Sequence, residues 1–139
     1  MKKILNILFL CSLLLTACSS NEEEIKSEIT KTIKMFYDEL LLENLDGSMS
    51  YISKDSEEYY ELYDEYRLTF EKYKYSYDLN EISFNEITKN RIVVSVSLVI
   101  SGVDENDKYD SFKEVQVFTI KKNNNGDYKI YDIETKYDI

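Results

Sequence analysis

Apolar side chains return at spacings of three and four along one stretch of this chain, through Ile25, Ile29, Ile33, Phe36 and Leu40, with Lys26, Glu28, Lys31, Lys34, Asp38 and Glu39 mostly opposite. That period predicts an amphipathic helix over about residues 22–45, opened by Asn21 and Glu24 in a capping arrangement. Asp46-Gly47-Ser48 then punctuates, and Met49, Tyr51 and Ile52 predict a short second helix ending near Ser53-Lys54-Asp55-Ser56. Ser56 is placed to cap a third helix, in which Tyr59, Tyr63, Tyr66, Phe70 and Tyr73 step by fours and threes. The period then falls to two. Tyr73, Tyr75, Tyr77 and Leu79 share one parity and Ile82 and Phe84 the other, so a strand with a bulge or bend between Leu79 and Ile82 is expected. After a turn at Thr88-Lys89-Asn90, Ile92, Val94, Val96, Leu98 and Ile100 form one face of a second strand whose other face is half-polar. Gly102 to Asp110 is an acidic connection. Ser111 to Lys121 supplies a third strand, with Val115 and Val117 on one parity and Phe112, Phe118 and Ile120 on the other. Asn123-Asn124-Asn125-Gly126-Asp127 is a hairpin signal, because Asn and Gly accept the positive φ of tight turns. A last strand is expected over Tyr128 to Ile133, followed by a short tail.

The front of the chain reads differently. Met1-Lys2-Lys3 is basic, Ile4 to Leu15 is an apolar run broken only by Asn6, Cys11 and Ser12, and Thr16 and Ala17 are small. A basic start, an apolar run of about 7–15 residues and small residues at the cut describe a secretory signal peptide. The run meets Ser19-Ser20-Asn21 and three glutamates well before the roughly 20 apolar residues that a spanning helix needs. Leu15-Thr16-Ala17-Cys18 resembles the lipobox of bacterial lipoproteins, and the resemblance implies that Cys18 carries a diacylglyceryl thioether and becomes the mature N-terminus. The expected organisation is a signal peptide over 1–17, the lipidated Cys18 with a short tether over 18–24, and a single domain over 25–139. Two or three acyl chains, each CH₂ contributing about 0.8 kcal/mol on burial, hold such a domain at a membrane.

Composition narrows the chemistry. Loss of Lys2 and Lys3 with the leader leaves 15 basic against 27 acidic side chains, a net −12. Such a surface repels nucleic-acid phosphates, so no nucleic-acid partner is expected. Cys11 leaves with the leader and Cys18 is consumed by lipid, so no disulfide is available and the core alone must hold the fold. Histidine is absent, which removes the commonest general base and the usual zinc ligands. No metal and no cofactor are expected. The segment Asp104 to Asp110 is rich in oxygen ligands but lacks the glycine and terminal glutamate of an EF-hand, and reads as a solvated loop.

Helices at the front and strands at the back predict an α+β domain, with N-terminal helices packed on a curved antiparallel sheet in a cone. The chain here resembles the nuclear-transport-factor-2-like, cystatin-like superfamily. The residues that carry the likeness are Ile33-Lys34-Met35-Phe36-Tyr37 through Leu45-Asp46-Gly47, then Tyr51-Ile52-Ser53, and Asn125 to Ile133 at the end. The resemblance implies a cavity between the helices and the concave sheet face. It assigns no catalytic residue, because nothing here matches the motifs of the superfamily's isomerases, and the dehydratase-type histidines are missing. The tyrosine stripe Tyr59, Tyr63, Tyr66 and Phe70 is the candidate pocket lining, since tyrosine offers apolar area with a polar tip; the alternative is that these side chains are ordinary core. The expected function is a non-catalytic ligand-binding or protein-interaction module of the bacterial cell envelope, extracytoplasmic and lipid-anchored to the cell membrane, or to the outer membrane of a two-membrane cell. A small isomerase or hydrolase with a Tyr/Asp site in the cone, and an envelope spacer or inhibitor, are the alternatives. Its partners are then the membrane through Cys18 and a small ligand or an envelope protein.

Overall fold

The computed structural model describes residues 2–103 and 111–137, with side chains described from Asn21 to Val103 and from Ser111 to Lys136. Three helices precede four strands: α1 (Lys2–Leu41), α2 (Leu45–Met49), α3 (Tyr59–Lys72), β1 (Tyr75–Ile87), β2 (Ile92–Gly102), β3 (Phe112–Lys122) and β4 (Tyr128–Tyr137). The strands form one antiparallel meander in the order β1-β2-β3-β4, and the class is α+β as the patterning predicts. Among the described residues no helix is long and apolar enough to cross a membrane.

The apolar stripe of α1 becomes the centre of the core. Ile29, Ile33 and Phe36 are wholly buried, with Tyr37 and Leu40 close behind, against Val94, Val96 and Leu98 of β2 and Phe118 and Ile120 of β3. Phe36 meets Tyr37, Tyr66 and Phe118 edge to face, with ring centres 5.4 to 6.1 Å apart. Every second residue of β2 from Ile92 to Ile100 is buried, because alternate side chains of a strand share a face.

Three boundaries fall elsewhere than the patterning predicts. The helix begins far upstream of residue 22, so the Ser19–Glu24 tether is helical backbone; no proline or glycine interrupts the chain before Gly47. It ends at Leu41 rather than near residue 45, where Glu43 turns the chain at φ 53° and the Asn44 side chain accepts from the Gly47 amide to start α2. A Cβ on Gly47 would run into the Glu39 carboxylate and the Asn44 amide that surround it. Ser56 is not the N-cap residue of α3, which is Glu58; its hydroxyl accepts from the Glu58 amide at 3.2 Å and donates to the Tyr131 carbonyl at 2.5 Å, and so ties the helix entry to β4.

In the sheet the expected irregularity is present, with a register shift between Leu79 and Glu81 and a second between Phe84 and Glu86. Bulges of this kind increase local twist and bend the strand, so β1 curls over the helices. The hairpin after β3 is closed by the Asn123 carboxamide, which accepts from the amides of Asn125 and Asp127, and by Gly126 at φ 88°. The last strand runs on through Tyr137, because the backbone of Glu134–Tyr137 pairs with Glu114–Val117 where a tail was expected. The acidic segment Asp104–Asp110 lies outside the described residues.

Candidate functional site

Two depressions mark the ends of the cone. The larger, about 690 Å³, lies where α1 at Asn21–Glu28 passes the β1–β2 turn and the β3–β4 hairpin. Its polar residues, among them Glu22, Glu24, Lys89 and Lys122, are exposed to solvent, and it is an open groove of mixed charge. The smaller, about 260 Å³, opens at the opposite end, between the C-terminal parts of α1 and α3 and the concave sheet face.

This second cavity holds the unusual chemistry. Its floor is β3, where Glu114 and Gln116 point inward on the same face as Phe118. Tyr37 reaches it from α1, Tyr66 from α3 and Tyr77 from β1, with Glu65 and Thr69 at the rim. The Tyr37 hydroxyl donates to the Gln116 carbonyl oxygen at 2.5 Å, and the Gln116 amide donates to a Glu114 carboxylate oxygen at 2.5 Å. The side chains thus form a directed chain from α1 into the sheet, running Tyr37 to Gln116 to Glu114.

Glu114 is only 5% exposed, and burial raises its carboxyl above the usual range, with Glu65 adding repulsion and the Gln116 amide partly opposing both. Burial likewise pushes the Tyr37 and Tyr66 hydroxyls far above an ordinary phenol, and the Tyr77 hydroxyl up to about 12, with the neighbouring carboxylates acting in the same direction. All three tyrosines are therefore protonated at any physiological pH. A buried carboxylate next to neutral phenols is the kind of arrangement that marks functional clefts.

Of the four side chains expected to line a pocket, Tyr66 stands on the wall of this cavity. Tyr59, Tyr63 and Phe70 are half-buried and packed against the core, with Phe70 stacked on Tyr66 at 6.4 Å and Tyr59 meeting Tyr60 edge to face. The reason is rotational: the cavity meets the adjoining face of α3, which presents Glu65, Tyr66 and Thr69, while the predicted stripe runs along the seam with the core. The apolar periodicity does not single out Glu114 and Gln116, although their strand parity carries a signal. They share the even parity of Phe112, Phe118 and Ile120, so two polar side chains stand on a core-facing strand row. Among the described residues no group of three or more acidic, His or Cys side chains is arranged to hold a metal ion.

The family described as the C-terminal domain of anti-sigma-I factor RsgI9 matches residues 29–138, which cover both the core stripe of α1 and all four strands. The chain belongs to this RsgI9 C-terminal domain family. No protein of curated function matches the sequence. Solved structures share the fold at low identity. A proposed aromatic ring hydroxylase from Novosphingobium aromaticivorans superposes with a TM-score of 0.72 at 8% identity, over 84% of this chain and 90% of the other. A proposed dehydratase of the NTF2-like family from Streptomyces avermitilis gives 0.71 at 9%, over 85% and 99%. A protein of unknown function with a cystatin-like fold from Nostoc punctiforme gives 0.65 at 11%, over 81% and 90%. The domain is NTF2-like and cystatin-like in fold, and the RsgI9-type chain keeps a cavity at the cone's open end.

Proposed function

We propose that the protein is a lipid-anchored binding module of the cell envelope, which takes a small ligand or a partner's side chain into the cavity of the cone and does no chemistry on it. The observation that carries this is the cavity itself: about 260 Å³, with one buried carboxyl and three protonated tyrosines on its walls. Concave sites where polar and aromatic side chains converge are where small molecules bind, and this one is lined by both. Membership of a family described as part of an anti-sigma factor, a regulator by its name, supports binding over catalysis. The anchor is read from Leu15-Thr16-Ala17-Cys18, as a bacterial lipoprotein signal. From Asn21 to Tyr37 the helix rises about 24 Å at 1.5 Å per residue, so a domain tethered at Cys18 presents its mouth away from the bilayer.

A small enzyme is the second reading, favoured by one observation: an acidic group, Glu114 rather than an aspartate, is linked through Gln116 to the Tyr37 hydroxyl in the same cavity. Against it, the Tyr37 proton is already given to Gln116 and the carboxylate already accepts from the same amide, which ties up both groups. Fragments that bind the protein separate the readings. Binding that shifts the ring signals of Tyr37, Tyr66 and Tyr77 with each fragment recovered unchanged is the expected result. Conversion of a fragment by the wild type and not by Glu114→Gln establishes the enzyme instead.

A further inference from the structure

We propose that the cavity binds a small organic cation, an alkylammonium group held against the rings of Tyr37, Tyr66 and Tyr77 with Glu114 as its counter-charge. The inference deepens the binding reading above and rests on it.

Charge is the first ground. Among the described residues, the cavity is lined by two carboxylates, Glu65 and Glu114, and by no lysine or arginine. Glu114 is nine-tenths and more buried and takes part in no ion pair among the described residues; its one hydrogen-bond donor there is the neutral Gln116 amide. Burying a carboxylate without a positive partner is costly. A cationic ligand supplies the partner.

Hydrogen-bond direction is the second. Tyr37 spends its only proton on Gln116, and Gln116 spends one of its two amide protons on Glu114. What this chain leaves toward the cavity is lone pairs on the Tyr37 and Glu114 oxygens and one Gln116 amide proton, while the Tyr66 and Tyr77 hydroxyls can either donate or accept. A cation meets acceptors there and a carboxylate of opposite charge, and an anion meets repulsion from Glu114.

Aromatic area is the third. The rings of Tyr37 and Tyr77 stand 5.7 Å apart and tilted by 47°, with Tyr66 joining them on the cavity wall. Ring faces attract ammonium groups electrostatically, and the attraction grows when water is excluded. A volume of about 260 Å³ suits an ammonium head with a short tail.

The test titrates the full chain with choline and with its uncharged isostere, in which a tert-butyl group replaces the trimethylammonium head, following tyrosine fluorescence; thirteen tyrosines and no tryptophan make that signal clean. Choline is expected to bind saturably and about tenfold or more tighter than the isostere. Glu114→Gln is expected to lose about tenfold in choline affinity with the isostere unchanged. Tyr77→Phe, which keeps the ring face, is expected to retain choline binding, and Tyr77→Leu to lose it; thermal melts of each variant separate a lost site from a lost fold. Equal binding of choline and the isostere overturns the cation assignment and leaves the cavity's binding role standing. Choline binding untouched by both Glu114→Gln and Tyr77→Leu overturns it as well, and so does the absence of choline binding.

Discussion

At the level of single residues, the unusual groups are a carboxyl and three phenols whose protons the fold holds on to. Burial raises the Glu114 carboxyl above its value in the unfolded chain. The folded state therefore binds this proton more tightly, and the stability it contributes is present at acid pH and lost as pH rises through the folded value. Glu114→Gln is expected to stabilise the protein against urea at neutral pH, with the gain shrinking to nothing once the pH falls below the unfolded carboxyl value. The phenols follow the same sign at the alkaline end. Tyr37, Tyr66 and Tyr77 hold their protons above the ordinary value of about 10, so stability is lost as pH rises beyond it. Absorbance at the phenolate band is expected to rise in two phases, the exposed tyrosines first and these three later, together with the loss of helical circular dichroism. A single phase near the ordinary value would show that the hydroxyls are open to water.

The residue scale also shows what the sequence could and could not reveal. Tyr66 stands in an aromatic stripe with Tyr59, Tyr63 and Phe70, but a stripe fixes only that some face of α3 is apolar. Which neighbours of that stripe meet the cavity depends on how α3 is rotated against α1 and β1, and that is set by tertiary packing. Glu114 and Gln116 were readable in principle, as polar side chains on the parity of Phe118. Their partner Tyr37 lies 79 positions away from Gln116, beyond the reach of any local pattern.

At the level of elements, period carried most of the information. The α1 stripe, the alternation of β2 and the bulge in β1 follow directly from spacings of three to four and of two. Phe36→Ala removes a wholly buried ring with three aromatic neighbours and is expected to cost about 3–5 kcal/mol in urea denaturation. Met35→Ala, next to it on the exposed side, is expected to change stability by less than about 0.5 kcal/mol. Of the boundaries that fall elsewhere, two turn on single residues, Glu43 at positive φ and Ser56 bonded to β4, and the extension of β4 turns on backbone pairing of Glu134–Tyr137 with β3. At the hairpin, Gly126 at φ 88° has free space around it, so Gly126→Ala is strained by backbone alone and is expected to cost about 1 kcal/mol.

At the level of the whole molecule, the proposed anchor at one end and the cavity at the other make a module held at a surface with its site facing outward. The proposed lipid falls on Cys18, and Cys18→Ser is expected to abolish labelling by palmitate and to release the protein from the membrane fraction; unchanged labelling contradicts the anchor. The charge of −12 expected after cleavage before Cys18 repels an anionic bilayer. The cavity is the centre of the account, and amide chemical-shift mapping of the full chain against a small-fragment library tests it most directly. The expected result is that shifts gather at Tyr37, Tyr66, Tyr77, Glu114 and Gln116 while Ile25, Lys89 and Lys122 stay still. Shifts that gather instead in the groove between the start of the helix and the hairpin tips would contradict it.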